Sequence, residues 1–327
     1  MKTLPNLLLS ALLLSASCAA QEPVVPTKYG RISGYTAAAD YSGAAVRTFL
    51  GVPFAKPPTG DLRFMPPVEP EPWDGVREAT TFGAACPQEG MYLPGFAEPF
   101  YTADRDWSED CLYMDVYAPV RSSGAEDPLA VMVYIHGGGW QVGTGSNSNG
   151  TQLAAEQNVI VVTFNYRLGV FGFLGTGDHH APGNAGLLDQ TEAIRWVKDN
   201  IANFGGDGDR ITIFGLSAGG MAVSLHLLSP LNSGLFHRAI TQSGSPFTPA
   251  FLGTKSWSPV TPAFLGTKRV YLHSGLPRNQ GQFSVSVLTL TLTLTLNSDL
   301  FRRAITQSGS PFTPAFLGTK VSFLSQF

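Results

Sequence analysis

Residues 210–220 read Arg-Ile-Thr-Ile-Phe-Gly-Leu-Ser-Ala-Gly-Gly and combine an apolar run with closely spaced glycines. The apolar run at 210–214 is typical of a buried strand, and the residues after Gly219 favour a helix that runs through Leu228. Between them, residues 215–219 fit the pattern Gly-x-Ser-x-Gly. A strand that reverses sharply into a helix needs glycines there, because larger side chains would collide at the turn. The segment therefore predicts a strand–turn–helix unit that raises Ser217 above the end of a sheet.

A serine in such a turn is a candidate nucleophile. Its hydroxyl is exposed, and the Ala218 amide at the helix N-terminus points toward the same space, where it can bind a substrate oxygen. A tight structural turn with an incidental serine is the alternative, since five-residue patterns also arise by chance. The position of Ser217 directly after a predicted strand favours the catalytic interpretation.

The segments around this turn alternate between strand-like and helix-like patterns. Apolar runs at residues 129–135, 159–164 and 238–242 predict strands, while residues 153–157 and 189–204 predict helices. Continuous apolar runs are typical of parallel strands that are covered on both faces. We therefore expect an α/β fold with three layers and a mostly parallel central sheet.

A second glycine-rich segment, His-Gly-Gly-Gly-Trp at residues 136–140, follows the predicted strand 129–135. Glycines let backbone amides approach an oxyanion closely, so two amides of this segment together with that of Ala218 predict a three-donor oxyanion hole. A phosphate-binding loop is the alternative, but no Lys-Ser/Thr pair follows at the required spacing.

Composition narrows the function classes. The chain has 327 residues, 43% of them hydrophobic and only 14% charged, with a formal charge of -3. A disordered, charge-driven chain is excluded, and one large α/β domain fits this length. No segment is basic and aromatic enough to indicate nucleic-acid binding. The sequence indicates no cofactor, and it does not indicate an oligomeric state.

The N-terminus predicts secretion, or entry into the lumen of the secretory pathway. Residues 1–20 combine Lys2, a short apolar run and small residues, as a cleavable signal peptide does, although a buried N-terminal helix is an alternative. We find no other apolar run long enough to span a membrane.

The sequon Asn149-Gly-Thr predicts a glycosylated Asn149. Cys86 and Cys111 remain after cleavage, and we expect them to form a disulfide, with two buried free thiols as the alternative.

The C-terminal part of the chain has a different composition. No Asp or Glu lies between Asp209 and Asp299. Residues 235–255 recur at 300–320 with one difference, and 288–296 alternate Leu and Thr. Evolved repeats diverge and keep one period, so we interpret residues 256–327 as a duplicated, low-complexity tail, with an adhesive β module as the alternative. The predicted division is a signal peptide at 1–20, an α/β domain at 21–255 and the tail.

These motifs resemble those of the type-B carboxylesterases, the cholinesterase-like family of α/β-hydrolases. The resemblance covers roughly residues 29–245. It is carried by residues 49–58 (Phe-Leu-Gly-Val-Pro-Phe-Ala-Lys-Pro-Pro), 109–117 (Glu-Asp-Cys-Leu-Tyr-Met-Asp-Val-Tyr), 165–174 (Asn-Tyr-Arg-Leu-Gly-Val-Phe-Gly-Phe-Leu), 183–190 (Gly-Asn-Ala-Gly-Leu-Leu-Asp-Gln) and 204–219.

The resemblance implies an α/β-hydrolase fold and hydrolysis of small carboxylic esters. It implies that Ser217 is the nucleophile, that Gly138, Gly139 and Ala218 supply the oxyanion amides, and that Cys86 pairs with Cys111. It also implies two structural ion pairs, Arg63 with Glu109 and Arg167 with Asp189.

Two positions depart from the family pattern. Leu216 stands where the family usually has Glu, and Tyr101 stands where cholinesterases use Trp to bind a choline cation. A general carboxylesterase therefore fits better than a cholinesterase. The cluster Asp178-His179-His180 lacks a third ligand at suitable spacing, so we expect a solvated loop and no metal site.

The catalytic triad is incomplete in this sequence. The family order is Ser, acid, His, but after Ser217 the only acid is Asp299 and no His follows it. We expect His226 and His237 to be helix and surface residues. We also expect the sheet to be truncated at its C-terminal side with an exposed edge, and the uncharged Leu/Thr stretch 288–296 to favour edge-to-edge aggregation. Two functions stay open, a serine ester hydrolase whose activity in this chain is undecided and a catalytically inactive binding or adhesion protein.

Overall fold

The computed structural model describes residues 22–90, 106–121 and 127–244, together with the backbone of Arg303–Gln307. The strands are β1 (Val24–Pro26), β2 (Arg31–Ser33), β3 (Tyr35–Ala38), β4 (Ala45–Pro53), β5 (Val76–Glu78), β6 (Tyr113–Pro119), β7 (Leu129–Ile135), β8 (Ile160–Phe164), β9 (Gly206–Leu216), β10 (Arg238–Gln242) and β11 (Arg303–Gln307). The α-helices are α1 (Thr151–Gln157), α2 (Gly169–Phe173), α3 (Ala185–Asn200) and α4 (Ala218–Leu228). Within these residues no helix is both long enough and apolar enough to cross a membrane.

The central sheet has the strand order β11-β10-β9-β7-β8-β6-β4-β3 among the described residues. Neighbours from β11 to β8 are parallel, whereas β6, β4 and β3 are joined to the sheet in antiparallel fashion. A smaller sheet has the order β1-β2-β5. The predicted α/β class with a parallel centre is confirmed, and its antiparallel edge comes from strands that the apolar runs did not indicate.

Helices lie on both faces of the central sheet. Buried residues of α3 and α4 share the main core with alternate residues of β7 and β9, including Val133 and Ile213. On the other face, Ala154 of α1 packs in a smaller cluster with Val161 of β8. The three-layer arrangement is therefore present.

The second face is covered only in part by the residues that the structure describes. Tyr134, Phe214 and Ile240 lie side by side in register on this face and are half-buried. The rings of Tyr134 and Phe214 are 5.0 Å apart. The expectation that every central strand is buried on both faces is therefore wrong in part. Buried positions of β7 alternate with half-buried ones, and β9 has half-buried and exposed positions as well.

Two elements begin earlier than the apolar pattern predicts, and α3 also ends earlier, at Asn200 instead of residue 204. Helix α3 begins at Ala185 instead of residue 189, and its first turn packs so closely that a Cβ on Gly186 would lie 2.5 Å from the Arg167 carbonyl oxygen. Strand β9 begins at Gly206 instead of residue 210, because Gly206 pairs with Leu129 of β7 across an irregularity in register. Backbone packing, which hydrophobic spacing does not report, sets where both elements begin.

Strand β11 repeats the sequence of β10, and the two pair in parallel and in register, from Arg238 with Arg303 to Gln242 with Gln307. Among the described residues β11 is therefore the terminal strand on this side, and the truncated sheet ends at β11 and not at β10. The rest of the predicted tail lies outside the described residues.

Both predicted ion pairs form. Arg167 is buried and donates to both carboxylate oxygens of Asp189, with Nε–Oδ2 and Nη2–Oδ1 distances of 2.8 and 2.6 Å. The Arg167 backbone amide also donates to Asp189, so the pair joins the segment after β8 to α3. Arg63 binds Glu109 in the same forked manner, but both side chains are partly exposed. Burial makes the first pair the structural one, because separating buried charges is costly.

His226 lies in α4, as expected of a helix residue, and its side chain is buried. Asn232 donates to its Nδ1 at 2.9 Å, and its Nε2 lies 2.7 Å from the Gln190 Oε1. The Nδ1 position is an acceptor here, so the proton is on Nε2, which donates to Gln190. Burial lowers the pKa of His226 to about 3, because a charged imidazole would lose its hydration. The neutral ring links α3 and α4.

This burial predicts loss of stability in acid. The pKa of His226 is about 3 in the folded chain and 6.5 in the unfolded chain, so below pH 6.5 the unfolded state binds the extra proton. The free energy of unfolding should fall by about 1.4 kcal/mol per pH unit through this residue as pH drops from 6.5. Urea unfolding at pH 6 and pH 5 should show a shallower fall for His226→Gln. An equal pH dependence in both proteins would contradict the assignment.

Candidate active site

Ser217 lies between the last residue of β9 and the first residue of α4, with φ 57° and ψ −121°. A non-glycine residue in this region is strained by about 1–3 kcal/mol, so the surrounding structure must hold it there. Ser217 is exposed, and its side chain does not cap the helix. The strained turn therefore leaves the hydroxyl at the end of the sheet, as the Gly-x-Ser-x-Gly pattern predicts.

Close backbone packing holds this turn. A Cβ on Gly219 would lie 2.0 Å from the carbonyl oxygen of Ile135, the last residue of β7, and one on Gly220 would lie 2.6 Å from that of Gln242. The Ser217 amide donates to the same Gln242 carbonyl at 2.8 Å. The turn is thus clamped between the ends of β7 and β10, and only glycine permits these approaches.

The glycine loop, which comprises residues 136–145 after β7, lies directly against the turn. A Cβ on Gly137 would be 2.6 Å from the Leu216 carbonyl oxygen and 3.3 Å from the Ser217 Cβ. Gly138 and Gly139 follow with φ values of 111° and 63°, in the region that favours glycine. Ala218 begins α4, where the first amides have no partner within the helix. The two predicted sources of oxyanion donors therefore border Ser217, and the roles of the individual amides stay predictions.

His136 begins this loop as a buried, neutral side chain. Its ring stacks on Tyr166 with centroids 4.2 Å apart, and its Nδ1 lies 2.8 Å from the Gly137 carbonyl oxygen. Burial lowers its pKa to about 4, although the bond to Gly137 opposes that shift. The Tyr166 hydroxyl donates to the His136 carbonyl oxygen at 2.9 Å. These contacts fix the loop where it leaves β7.

Among the described residues, no histidine is hydrogen-bonded to the Ser217 hydroxyl. His136 and His226 have the partners given above, His179 and His180 lie in an exposed loop, and His237 is half-buried before β10. A serine hydroxyl needs an adjacent base to attack efficiently at neutral pH. The described part of the chain thus places the predicted nucleophile beside the predicted oxyanion donors, without such a base.

The other predicted site features are placed as follows. Cys86 and Cys111 form the expected disulfide. Asp178 and His180 are exposed and 3.3 Å apart, as expected of a solvated loop. Within the described ranges, no three His, Cys, Asp or Glu side chains cluster as metal ligands. Tyr101 lies outside the described residues.

Two polar side chains that sequence reasoning missed support the glycine loop. Asn165 accepts hydrogen bonds from Thr144 and Gly145 and donates to the Cys111 carbonyl oxygen. Gln88 contacts Gly143. Asn165 belongs to a quoted family motif, which was a signal that could have been followed, whereas nothing in the sequence distinguishes Gln88.

Comparison with known proteins places the chain in a family. The sequence model of the carboxylesterase family matches residues 21–266. Pyrethroid hydrolase Ces2e of Rattus norvegicus is 48% identical over 229 residues, which are 69% of this chain and 40% of the relative. Cocaine esterase of Homo sapiens is 48% identical over 237 residues, 71% of this chain and 42% of that protein. Carboxylesterase 1C of Mus musculus is 49% identical over 226 residues, 68% of this chain and 41% of that protein.

The chain belongs to the carboxylesterase family, whose members have the α/β-hydrolase fold. The resemblance inferred from the sequence motifs is confirmed. The chain spans about two fifths of the length of the three relatives named above.

Proposed function

We propose that this protein is a serine hydrolase of carboxylic esters and that Ser217 is its nucleophile. The strained turn carries the proposal, because it holds an exposed serine beside the glycine loop and the first amides of α4. Names of the relatives, among them cocaine esterase and carboxylesterase 1C, support small carboxylic esters as the substrate class.

The chemistry proceeds in two steps. The Ser217 oxygen attacks the ester carbonyl carbon, and the amides of Gly138, Gly139 and Ala218 bind the oxyanion that forms. The intermediate collapses, the carbon–oxygen bond to the alcohol breaks, and the alcohol leaves with a proton. Water then attacks the acyl-enzyme and releases the carboxylic acid and Ser217. Each step needs a proton acceptor near the Ser217 hydroxyl, and the described residues supply none.

A second function is supported by that same observation. If no residue outside the described part supplies a base at Ser217, the fold can act as a catalytically inactive protein that binds or adheres to a partner. The retained serine and its strained conformation favour the hydrolase, since strain of this kind is typically kept where it serves a function.

Covalent labelling of the whole chain distinguishes the two functions. A fluorophosphonate forms a bond between phosphorus and the Ser217 oxygen with loss of fluoride, and mass spectrometry locates the label. We expect Ser217 to be modified, slowly and at a rate that rises with pH without a plateau near 7, because no described imidazole accepts its proton. Ser217→Ala should remain unlabelled. A folded chain that stays unlabelled at Ser217 would favour the binding protein.

We also propose that residues 1–20 direct the chain into the secretory pathway and that Asn149 carries a glycan. Asn149 is exposed. Its Oδ1 accepts a hydrogen bond from the Thr151 amide, and the side-chain nitrogen, to which a sugar would be attached, takes no part in that bond. Expression in secreting eukaryotic cells should give a chain that lacks residues 1–20. Enzymatic deglycosylation should lower its mass, and Asn149→Gln should abolish that change. Retention of residues 1–20 would contradict the first proposal.

A further inference from the structure

The glycine loop beside Ser217 has an unusual backbone. Gly138, Gly139, Trp140 and Gly143 all have φ values between 63° and 127°, in the left-handed region. Trp140 has no glycine freedom, and a non-glycine residue is held in this region only where its surroundings enforce it. The predicted oxyanion donors therefore depend on contacts that fix the loop from outside.

Gln88 makes such a contact from a distant segment. The Gly143 amide donates to Gln88 Oε1 at 2.9 Å, and Gln88 Nε2 donates to the Gly143 carbonyl oxygen at 2.9 Å. The same Nε2 donates to the Cys86 carbonyl oxygen at 3.1 Å. One side chain thus holds both polar groups of Gly143 and ties them to the disulfide-bonded segment.

A short series of contacts leads from Gly143 to Ser217. A Cβ on Gly143 would lie 2.2 Å from the His136 Nδ1, so the Gly143 backbone lies against the His136 ring. That ring is bonded to the Gly137 carbonyl oxygen, and Gly137 packs against the backbone that precedes Ser217. A shift of Gly143 would therefore displace the Gly137 backbone and, through it, the backbone at Ser217.

We propose that Gln88 is a positioning residue, which fixes the glycine loop so that the Gly138 and Gly139 amides face the substrate oxygen above Ser217. The proposal rests on the proposed function for its catalytic consequence, while its structural part stands on the Gly143 contacts alone. Gln88 does not touch the substrate. It acts through Gly143, and the disulfide at Cys86 anchors it.

An amide is required at this position, because Gly143 presents a donor and an acceptor together. A glutamate keeps the acceptor for the Gly143 amide. When ionised it offers no hydrogen to the carbonyl oxygens of Gly143 and Cys86 and places a negative charge against them. Protonation of the carboxyl group restores one donor. Gln88→Glu should therefore restore the loop as pH falls, which a loss of packing alone would not do.

Hydrogen exchange of the full chain tests the structural part. Exchange of the amides in residues 138–145 should be at least about tenfold faster in Gln88→Ala than in wild type, and in Gln88→Glu at pH 7. For Gln88→Glu, the ratio to wild type should fall as pH decreases toward 5. Gln157→Ala, an exposed glutamine at the end of α1, serves as the matched control and should leave the loop unchanged.

Labelling of Ser217 by a fluorophosphonate tests the catalytic part in the same proteins. We expect Gln88→Ala to react about tenfold more slowly or worse, the factor that 1.4 kcal/mol makes in a rate. Gln157→Ala should react at the wild-type rate. The proposal would be overturned if Gln88→Ala exchanged its loop amides at the wild-type rate. It would also be overturned if the exchange rate of Gln88→Glu relative to wild type did not change with pH. A wild-type chain that never reacts would instead count against the proposed function, and the exchange measurements would still decide the role of Gln88.

Discussion

The close contact between Gly219 and the Ile135 carbonyl oxygen fixes where the turn at Ser217 lies. It lets the first turn of α4 lie on the end of β7, which brings the strand–helix turn and the glycine loop together. The strain at Ser217 is held because this contact and the bond from its amide to Gln242 leave the backbone no room to relax. The exposed hydroxyl follows from backbone packing, and within the described ranges no side chain is hydrogen-bonded to it.

Buried polar groups then fix the loops that border the site. Arg167 and Asp189 join the segment after β8 to α3, and each charge is acceptable in the interior because the other satisfies it. Asn165 joins the glycine loop to the disulfide-bonded segment through hydrogen bonds of its neutral side chain. These connections bridge parts of the chain that are far apart in sequence, so a loop with several left-handed residues keeps one conformation.

The sequence predicted the parts of the fold that depend on local pattern. Ser217, the strand before it and the helix after it follow from glycine spacing and a short apolar run, which are properties of neighbouring residues. Both ion pairs and the Cys86–Cys111 disulfide were also predicted, through family resemblance or cysteine count.

The remainder depends on contacts that no local pattern records. The early start of α3 was missed because Gly186 weakens the helical signal, although its lack of a side chain is what allows the first turn to pack on Arg167. His226 can be buried because Gln190 and Asn232 form hydrogen bonds with its two ring nitrogens. The role of Gln88 depends on the fold, which brings it to Gly143. Identical sequence in β10 and β11 indicated a duplication but gave no sign that the two copies would pair.

The free energy of unfolding of Gly219→Ala, compared with that of Gly177→Ala, tests the central constraint most directly. Gly219 lies in α4, where alanine would gain up to about 1 kcal/mol if no contact opposed it. Because the added Cβ meets the Ile135 carbonyl oxygen, we expect the free energy of unfolding to fall by about 2 kcal/mol or more. Gly177 has a φ of 80° and open space around it, so its alanine variant should lose only about 1 kcal/mol. A Gly219→Ala protein as stable as wild type, or more stable, would contradict the account.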